Sequence, residues 1–276
     1  MKYTKQYILS ILSLIILSLP AFSQQLTGKA TYLSDRDMTN LSFEGANHSP
    51  EMVEQLKAQL KKQFQKEYEL EFNLSESTWK EAESLDAGAA TASSGGMTIS
   101  IATGNSITYK NTSDLTYIEQ TESFSKLFLI KDSLKQRQWK ITGETKKIGN
   151  YLANKATYEN IRESKTFSLT NDDKEMKSKI DTTLITVWYS SQIPVPHGPS
   201  DYWGLPGLIL EMTDGNVTYL CTKVVLNPTD KIIIKAPTKG KEVTRKEYEK
   251  VNEKMAESMM KKYRGNGEAT TIKIGN

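Results

Sequence analysis

Few side chains in this sequence are equipped for metal or covalent chemistry. There are two histidines, His48 and His197, and one cysteine, Cys221. A zinc site draws three or four converging His, Cys or acidic ligands. His48 stands just ahead of a helical pattern and His197 inside a proline-rich loop, so a shared site would require distant convergence. No metal site and no cofactor is expected. His197 has Asp201 four residues on, but a general base also needs a substrate proton within hydrogen-bond reach. Loop histidines are ordinarily plain surface residues. Cys221 lies in Thr218-Tyr219-Leu220-Cys221-Thr222-Lys223-Val224, where a lone cysteine reads as a small buried hydrophobe. A nucleophilic thiol would need a neighbouring base and a lowered pKa, and no base stands near it in the sequence. Asn171-Asp172-Asp173-Lys174 offers too few alternating ligands for a calcium loop. There is no Gly-x-Ser-x-Gly elbow, no phosphate loop and no dinucleotide fingerprint. Ser93-Ser94-Gly95-Gly96 comes nearest to a glycine-rich loop, but no Lys-Ser or Lys-Thr follows it.

The densest information lies between Thr186 and Asp214. Half of the eight prolines fall there (Pro194, Pro196, Pro199 and Pro206), with two of the four tryptophans. Proline fixes φ and removes a donor, so Ile193-Pro194-Val195-Pro196 is expected to be stiff and extended. Leu205-Pro206-Gly207-Leu208 has proline at i+1 and glycine at i+2, the pattern of a type II turn. Leu208-Ile209-Leu210 then enters a strand expected to be buried on both faces. Trp188, Tyr189, Tyr202 and Trp203 bring large apolar area to this stretch. Aromatic residues are enriched at interface hot spots and ligand clefts. Trp188, Tyr189, His197, Tyr202 and Trp203 are therefore the candidate binding surface, set against the plainer reading that the aromatics build a core.

The elements that must carry this segment are mostly strands. Short runs at Thr27–Leu33, Leu70–Leu74, Ser106–Lys110, Leu115–Glu122, Phe124–Lys131, Arg137–Thr142, Tyr151–Tyr158, Thr182–Ser190, Leu208–Met212 and Thr218–Leu226 suggest an antiparallel meander. Ile232–Lys235 and the tail Thr270–Ile274 could add two more. Ser49-Pro50-Glu51 opens a helix with an N-cap serine and a proline at its first position. Met52, Leu56, Leu60 and Phe64 make one apolar face. Thr244-Arg245-Lys246-Glu247 is a capping box, followed by Tyr248, Val251, Met255 and Met259 on one face and a stop near Gly265. Residues 84–96 are small and polar and read as a flexible loop. The expected fold is mainly β (α+β): a single curved antiparallel sheet with two amphipathic helices packed against it.

The start of the chain reads as an export signal. Lys2 and Lys5 precede an apolar run from Ile8 to Leu19, Pro20 breaks it, and Ala21 and Ser23 flank a cleavage site before Gln24. The run is too short to span a bilayer, which takes about 20 residues. Gln24 in place of cysteine argues against a lipoprotein anchor. Residues 1–23 are thus a signal peptide and 24–276 a single β-rich domain, exported to the periplasm or cell envelope and not membrane-spanning after cleavage. The signal holds two of the 36 basic residues and no acidic one of the 33. The remainder is almost neutral, which argues against a nucleic-acid partner.

Gly204-Leu205-Pro206-Gly207-Leu208-Ile209 resembles the name-giving signature of the GLPGLI family, exported proteins found mainly in Bacteroidetes. The surroundings are similar in order: Trp188-Tyr189, Ile193-Pro194, Gly198-Pro199 and Trp203-Gly204. Upstream, Trp139-Lys140-Ile141, Thr145-Lys146, Ile148-Gly149-Asn150-Tyr151 and Lys155-Ala156 resemble a second family block. Ala153 stands where relatives often carry cysteine, so a shared thiol role does not transfer. The resemblance implies an envelope protein with a curved antiparallel sheet and no established reaction. The sequence-level expectation is a non-enzymatic protein binding an apolar ligand or an envelope protein. The alternatives are an accessory subunit of an outer-membrane assembly and an undetected hydrolase, which would require His197 beside an acid and a nucleophile.

Overall fold

The computed structural model describes residues 26–38, 49–83, 90–94, 97–101, 106–169, 174–263 and 270–274. The expected signal peptide, His48, the Asn171–Asp173 turn and the stop at Gly265 lie outside the described residues. So does most of the stretch read as a flexible loop. Within that stretch, Ala90–Ser94 forms a strand.

The chain runs β1 (Gly28–Arg36), α1 (Pro50–Phe64), β2 (Glu67–Phe72), β3 (Glu76–Glu81), β4 (Ala90–Ser94) and β5 (Met97–Ile101). It continues with β6 (Ile107–Asn111), β7 (Thr116–Ser123), β8 (Lys126–Ser133), β9 (Lys140–Ile148), β10 (Tyr151–Leu169) and β11 (Lys174–Ser190). Last come β12 (Leu208–Asp214), β13 (Val217–Leu226), β14 (Lys241–Val243), α2 (Arg245–Tyr263) and β15 (Thr270–Ile274). Thirteen strands form one sheet in the order β14-β8-β7-β6-β3-β2-β1-β13-β12-β11-β10-β15, with β9 also beside β10. β4 and β5 make a separate two-stranded sheet.

The expectation of one wholly antiparallel sheet is therefore corrected twice. There is a second sheet, and the large one is mixed, because β14 pairs in parallel with β8, Lys241 opposite Phe128 through Val243 opposite Ile130. A parallel neighbour needs a long crossover, and this one arrives after the chain has built β9 to β13. Gly240 permits the approach. Its φ is +122°, and a Cβ there would stand 2.6 Å from the Phe128 carbonyl carbon. β14 is three residues long, too short for alternation to register. The strand expected at Ile232–Lys235 is absent, and that stretch instead leads the chain irregularly toward β14.

The inward face of the sheet holds the core. Ala30, Tyr32, Leu70, Phe72 and Trp79 of β1 to β3 gather with Ile193, Val195, Leu208 and Leu210. Beside them Ala156, Ile185, Val187 and Tyr189 pack with Tyr202, Leu205, Ile209 and Met212. The loop between β11 and β12 thus supplies side chains to both clusters and lies on the sheet as its lid. A third cluster joins Tyr117, Phe128, Ile130, Leu134 and Val243 to Trp203, Tyr248 and Val251.

The helices form where their caps and stripes place them. Ser49 Oγ accepts from Met52 N–H at 3.3 Å, and Leu56 and Leu60 are wholly buried beside Met38, Met52 and Phe64. Full burial of each leucine contributes about 1.5–3 kcal/mol. In α2, Glu247 Oε2 accepts from Thr244 N–H at 2.8 Å while Glu247 N–H donates to Thr244 Oγ1 at 3.3 Å. The box satisfies two helix-end donors reciprocally.

Candidate functional site

The segment between β11 and β12 is positioned by three glycines used in three different ways. Gly207 presses on the end of β11, where an added Cβ would lie 2.2 Å from Ser190 O. Gly198 faces Ile209, whose side chain would stand 2.6 Å from a Cβ. Gly204 has φ +97°. The expected type II turn is not formed, because Gly207 is not among the glycines with positive φ. Gly207 N–H instead donates to Leu205 O at 2.8 Å, a γ-turn centred on Pro206. Proline's fixed φ suits the inverse γ-turn. Val195 N–H donates to Ile193 O at 2.8 Å in the same way, so Pro194 sits at a second tight turn and not in an extended run.

Further backbone bonds fold the loop onto itself. Gly204 N–H donates to Pro196 O at 3.1 Å, Ile209 N–H to His197 O at 3.0 Å, and Tyr202 N–H to Pro199 O at 3.0 Å. His197 and Trp203 form an isolated antiparallel bridge. From β1, Tyr32 Oη donates to Ile209 O at 2.7 Å.

Beneath the loop is a polar cluster. Lys110 of β6 is wholly buried, and its Nζ donates to Gly198 O at 2.8 Å and Tyr202 O at 3.1 Å. Burial lowers its pKa to about 7, with Arg137 acting in the same direction and Asp201 against it. Arg137 donates through Nη1 to Asp201 O and through Nη2 to Asp201 Oδ2, both at 2.7 Å. Its guanidinium lies 4.1 Å from the centre of the Tyr202 ring. Burial pushes the Asp201 carboxyl up, but Arg137, with help from Arg245 and Lys110, holds it below its ordinary value. Tyr202 Oη donates to Asp214 Oδ2 at 2.7 Å. Trp139 Nε1–H donates to Trp203 O at 2.9 Å, and Trp203 Nε1–H to Lys135 O at 2.8 Å.

His197 is wholly buried. Its Nε2 lies 3.1 Å from Asn73 O, which makes Nε2 the protonated nitrogen. Nδ1 has no hydrogen-bond partner. Burial first, and Lys110 second, lower its pKa to about 3. Neither nitrogen reaches an acid or a nucleophile, so the arrangement required of a hydrolase is not assembled around His197. Cys221 donates weakly to Lys223 O at 3.5 Å, and burial pushes its pKa up to about 12. Such a thiol is inert.

The five aromatic and histidine candidates do not share a surface. Tyr189 and Tyr202 are each 4% exposed and His197 is 0% exposed. Trp203 is half-buried against the α2 side of the molecule. Trp188 points the other way, where Lys146 Nζ lies 4.4 Å and Lys155 Nζ 5.8 Å from its ring centre. Of the hexapeptide, Leu205, Gly207, Leu208 and Ile209 are buried, while Gly204 and Pro206 are exposed. Lys110 and Arg137 are the members of the cluster that sequence reasoning missed. Ile107-Thr108-Tyr109-Lys110-Asn111 alternates, but its polar set, Thr108 and Lys110, faces inward. Nothing local marks that inversion.

The outward side of the same sheet is different in kind. On β10 and β11, Glu159 stands opposite Leu184, Ile161 opposite Thr182 and, two pairs further on, Glu163 opposite Ile180. Ile161, Ile180 and Leu184 are 67%, 71% and 56% exposed. No helix among the described residues is long and apolar enough to cross a membrane.

The family model described as "Protein of unknown function (Porph_ging)" matches residues 139–211. That span runs from Trp139 through β9, β10, β11 and the loop into β12. No curated protein matches the chain. Two crystal structures of PNGF-II, in the C2 and P21 space groups, superpose with TM-scores of 0.44 and 0.45 at 17% and 16% identity. Each superposition covers 82% of this chain and 32% of PNGF-II.

Proposed function

We propose that this protein is an exported, non-enzymatic component of the cell envelope, of the GLPGLI type, that works by binding a protein partner. The observation that carries the reading is the use made of its reactive side chains. Lys110, Arg137, Asp201 and His197 are all engaged in holding one loop to the sheet. The only cysteine is half-buried with a raised pKa. The hexapeptide near the end of the matched span acts as a packing device, since Gly207 and Leu208 fit against the end of β11 and the core.

A protein partner is favoured over an enclosed apolar ligand because the chain fills its own inward face. Ile193, Val195 and Leu205 occupy the positions over Tyr32, Phe72, Trp79 and Tyr189 that a ligand would take. The partner surface is the outward face of β10 and β11. Ile161, Ile180 and Leu184 there suit an apolar protein surface, with Glu159 and Lys155 at its margin.

Site-specific photocrosslinking in the native envelope tests this. A photoreactive residue replacing Leu184 or Ile180 is expected to give one discrete adduct, and one replacing Ile233, on the far connection, none. Equal labelling from all three positions, or a lipid adduct in native mass spectrometry of the gently purified protein, would overturn the partner reading.

A further inference from the structure

We propose that the loop 193–207 is an acid-sensitive cover, docked while Lys110 beneath it and its own His197 are neutral and lifted from the sheet when protons charge them. The geometry of Lys110 is the first ground. Its ammonium form has three N–H donors, but two acceptors meet it, Gly198 O and Tyr202 O. Ser77 of β3 stands directly opposite Lys110 in the sheet, yet Ser77 Oγ is buried without a hydrogen-bond partner. The neutral amine, with two N–H groups, matches the two carbonyls; the charged form has one donor too many for a wholly buried side chain.

His197 is the second ground, on the loop itself. Its Nε2–H is satisfied by Asn73 O, while Nδ1 is buried with no partner. A second proton would convert that nitrogen into a buried, unpaired donor and leave a charge beside Lys110 and the Phe72 ring. An unsatisfied buried charge is strongly disfavoured, and lifting the loop removes the penalty for both bases at once.

The other groups facing the two bases set the range. Asp201 favours the proton on Lys110 and Arg137 opposes it. Arg137 and Arg245 keep Asp201 anionic. Tyr117, opposite Lys110 on β7, and Tyr202 on the loop have pKa values raised by burial, so they stay neutral below about pH 10. For both bases the docked pKa is below the free one. The undocked state therefore binds more protons between pH 7 and the ordinary lysine value of 10.5, and again between pH 3 and the ordinary histidine value of 6.5. Docking strengthens as pH rises through either window.

Hydrogen–deuterium exchange of the purified protein at pH 9, 7 and 5, corrected for intrinsic exchange, reads the loop directly. Amides of 193–207 are expected to lose at least ten-fold more protection than those of β1 and β2 between pH 9 and 5. Lys110→Met is expected to flatten the step above pH 7, and His197→Gln the step below 6.5. Loop protection that tracks β1 at every pH would overturn the proposal, as would variants that keep the wild-type slope. Should Lys110→Met not fold, the 13Cε shift of Lys110 in the wild-type protein decides: a midpoint near 7 is expected, and one above 10 overturns the switch. These readouts are independent of whether any partner binds.

Discussion

Neighbouring residues of β11 enter two different worlds. Tyr189 goes inward, into a packed cluster with Tyr202, Leu205 and Ile209. Trp188 goes outward, under two lysine side chains and beside the Lys146–Glu211 ion pair at 2.7 Å. Inside, Lys110, Arg137, Asp201 and Tyr202 are each fixed by one or two specific partners. Outside, the charges remain solvated, and an exposed ion pair or cation–π contact contributes about 0.2–1 kcal/mol. One strand thus carries a region that tolerates almost no change and a region that is free to change. The loop is thus held by specific internal bonds, while the outer face is held by little beyond the ladder itself.

Substitutions should separate the two regions by size of effect. Gly207→Ala drives a methyl to 2.2 Å from Ser190 O and is expected to cost more than about 3 kcal/mol, read as a large fall in the urea midpoint or failure to accumulate folded protein. Gly149→Ala, at the β9–β10 turn with φ +56° and nothing within 4 Å, is the outward counterpart. It should cost about 1 kcal/mol, from backbone strain alone. Equal losses would break the comparison. Arg137→Ala strips the partner from Asp201 and from its own place over Tyr202; about 3 kcal/mol is expected, with the near-ultraviolet dichroism of the loop aromatics reduced. Tyr202→Phe deletes the 2.7 Å bond to Asp214 and should cost about 1 kcal/mol. Lys146→Ala is expected to change stability by no more than about 0.5 kcal/mol, less in high salt. A loss there as large as that of Arg137→Ala would mean that the outward face is structural after all.

What the sequence made legible follows the range of the signal. The α1 stripe of Met52, Leu56, Leu60 and Phe64 and the Thr244–Glu247 capping box are local patterns, and both form. The importance of the Gly204–Ile209 stretch was readable, but its mechanism was not. Proline followed by glycine is the pattern of a type II turn. What Gly207 answers is the Ser190 backbone, a contact between strand ends that no local rule contains. β3 escaped because Trp79 is the only large apolar residue in Glu76–Glu81, so its pairing comes from neighbours on both sides. The polar cluster was invisible for a related reason. Thr108 and Lys110 look like the wet side of β6, and only the loop arriving some ninety residues later makes that side dry. Four of the five candidate surface residues stand out by aromaticity, which marks cores and interfaces alike, and His197 by its place in a polar stretch of the loop.

The seam between β1 and β13 has a consequence in time. Gly28 pairs with Leu226, and the ladder continues to Arg36 opposite Val217, so the strand made almost first waits for one made almost last. β8, complete at Ser133, likewise has no neighbour on its outer edge until Lys241–Val243 has been synthesised. Sheets closed by such distant pairings fold slowly, over milliseconds to seconds or longer. A nascent chain of 200 residues would still lack the neighbour that completes its centre. The centre of the sheet therefore closes only after the chain has been made as far as Leu226.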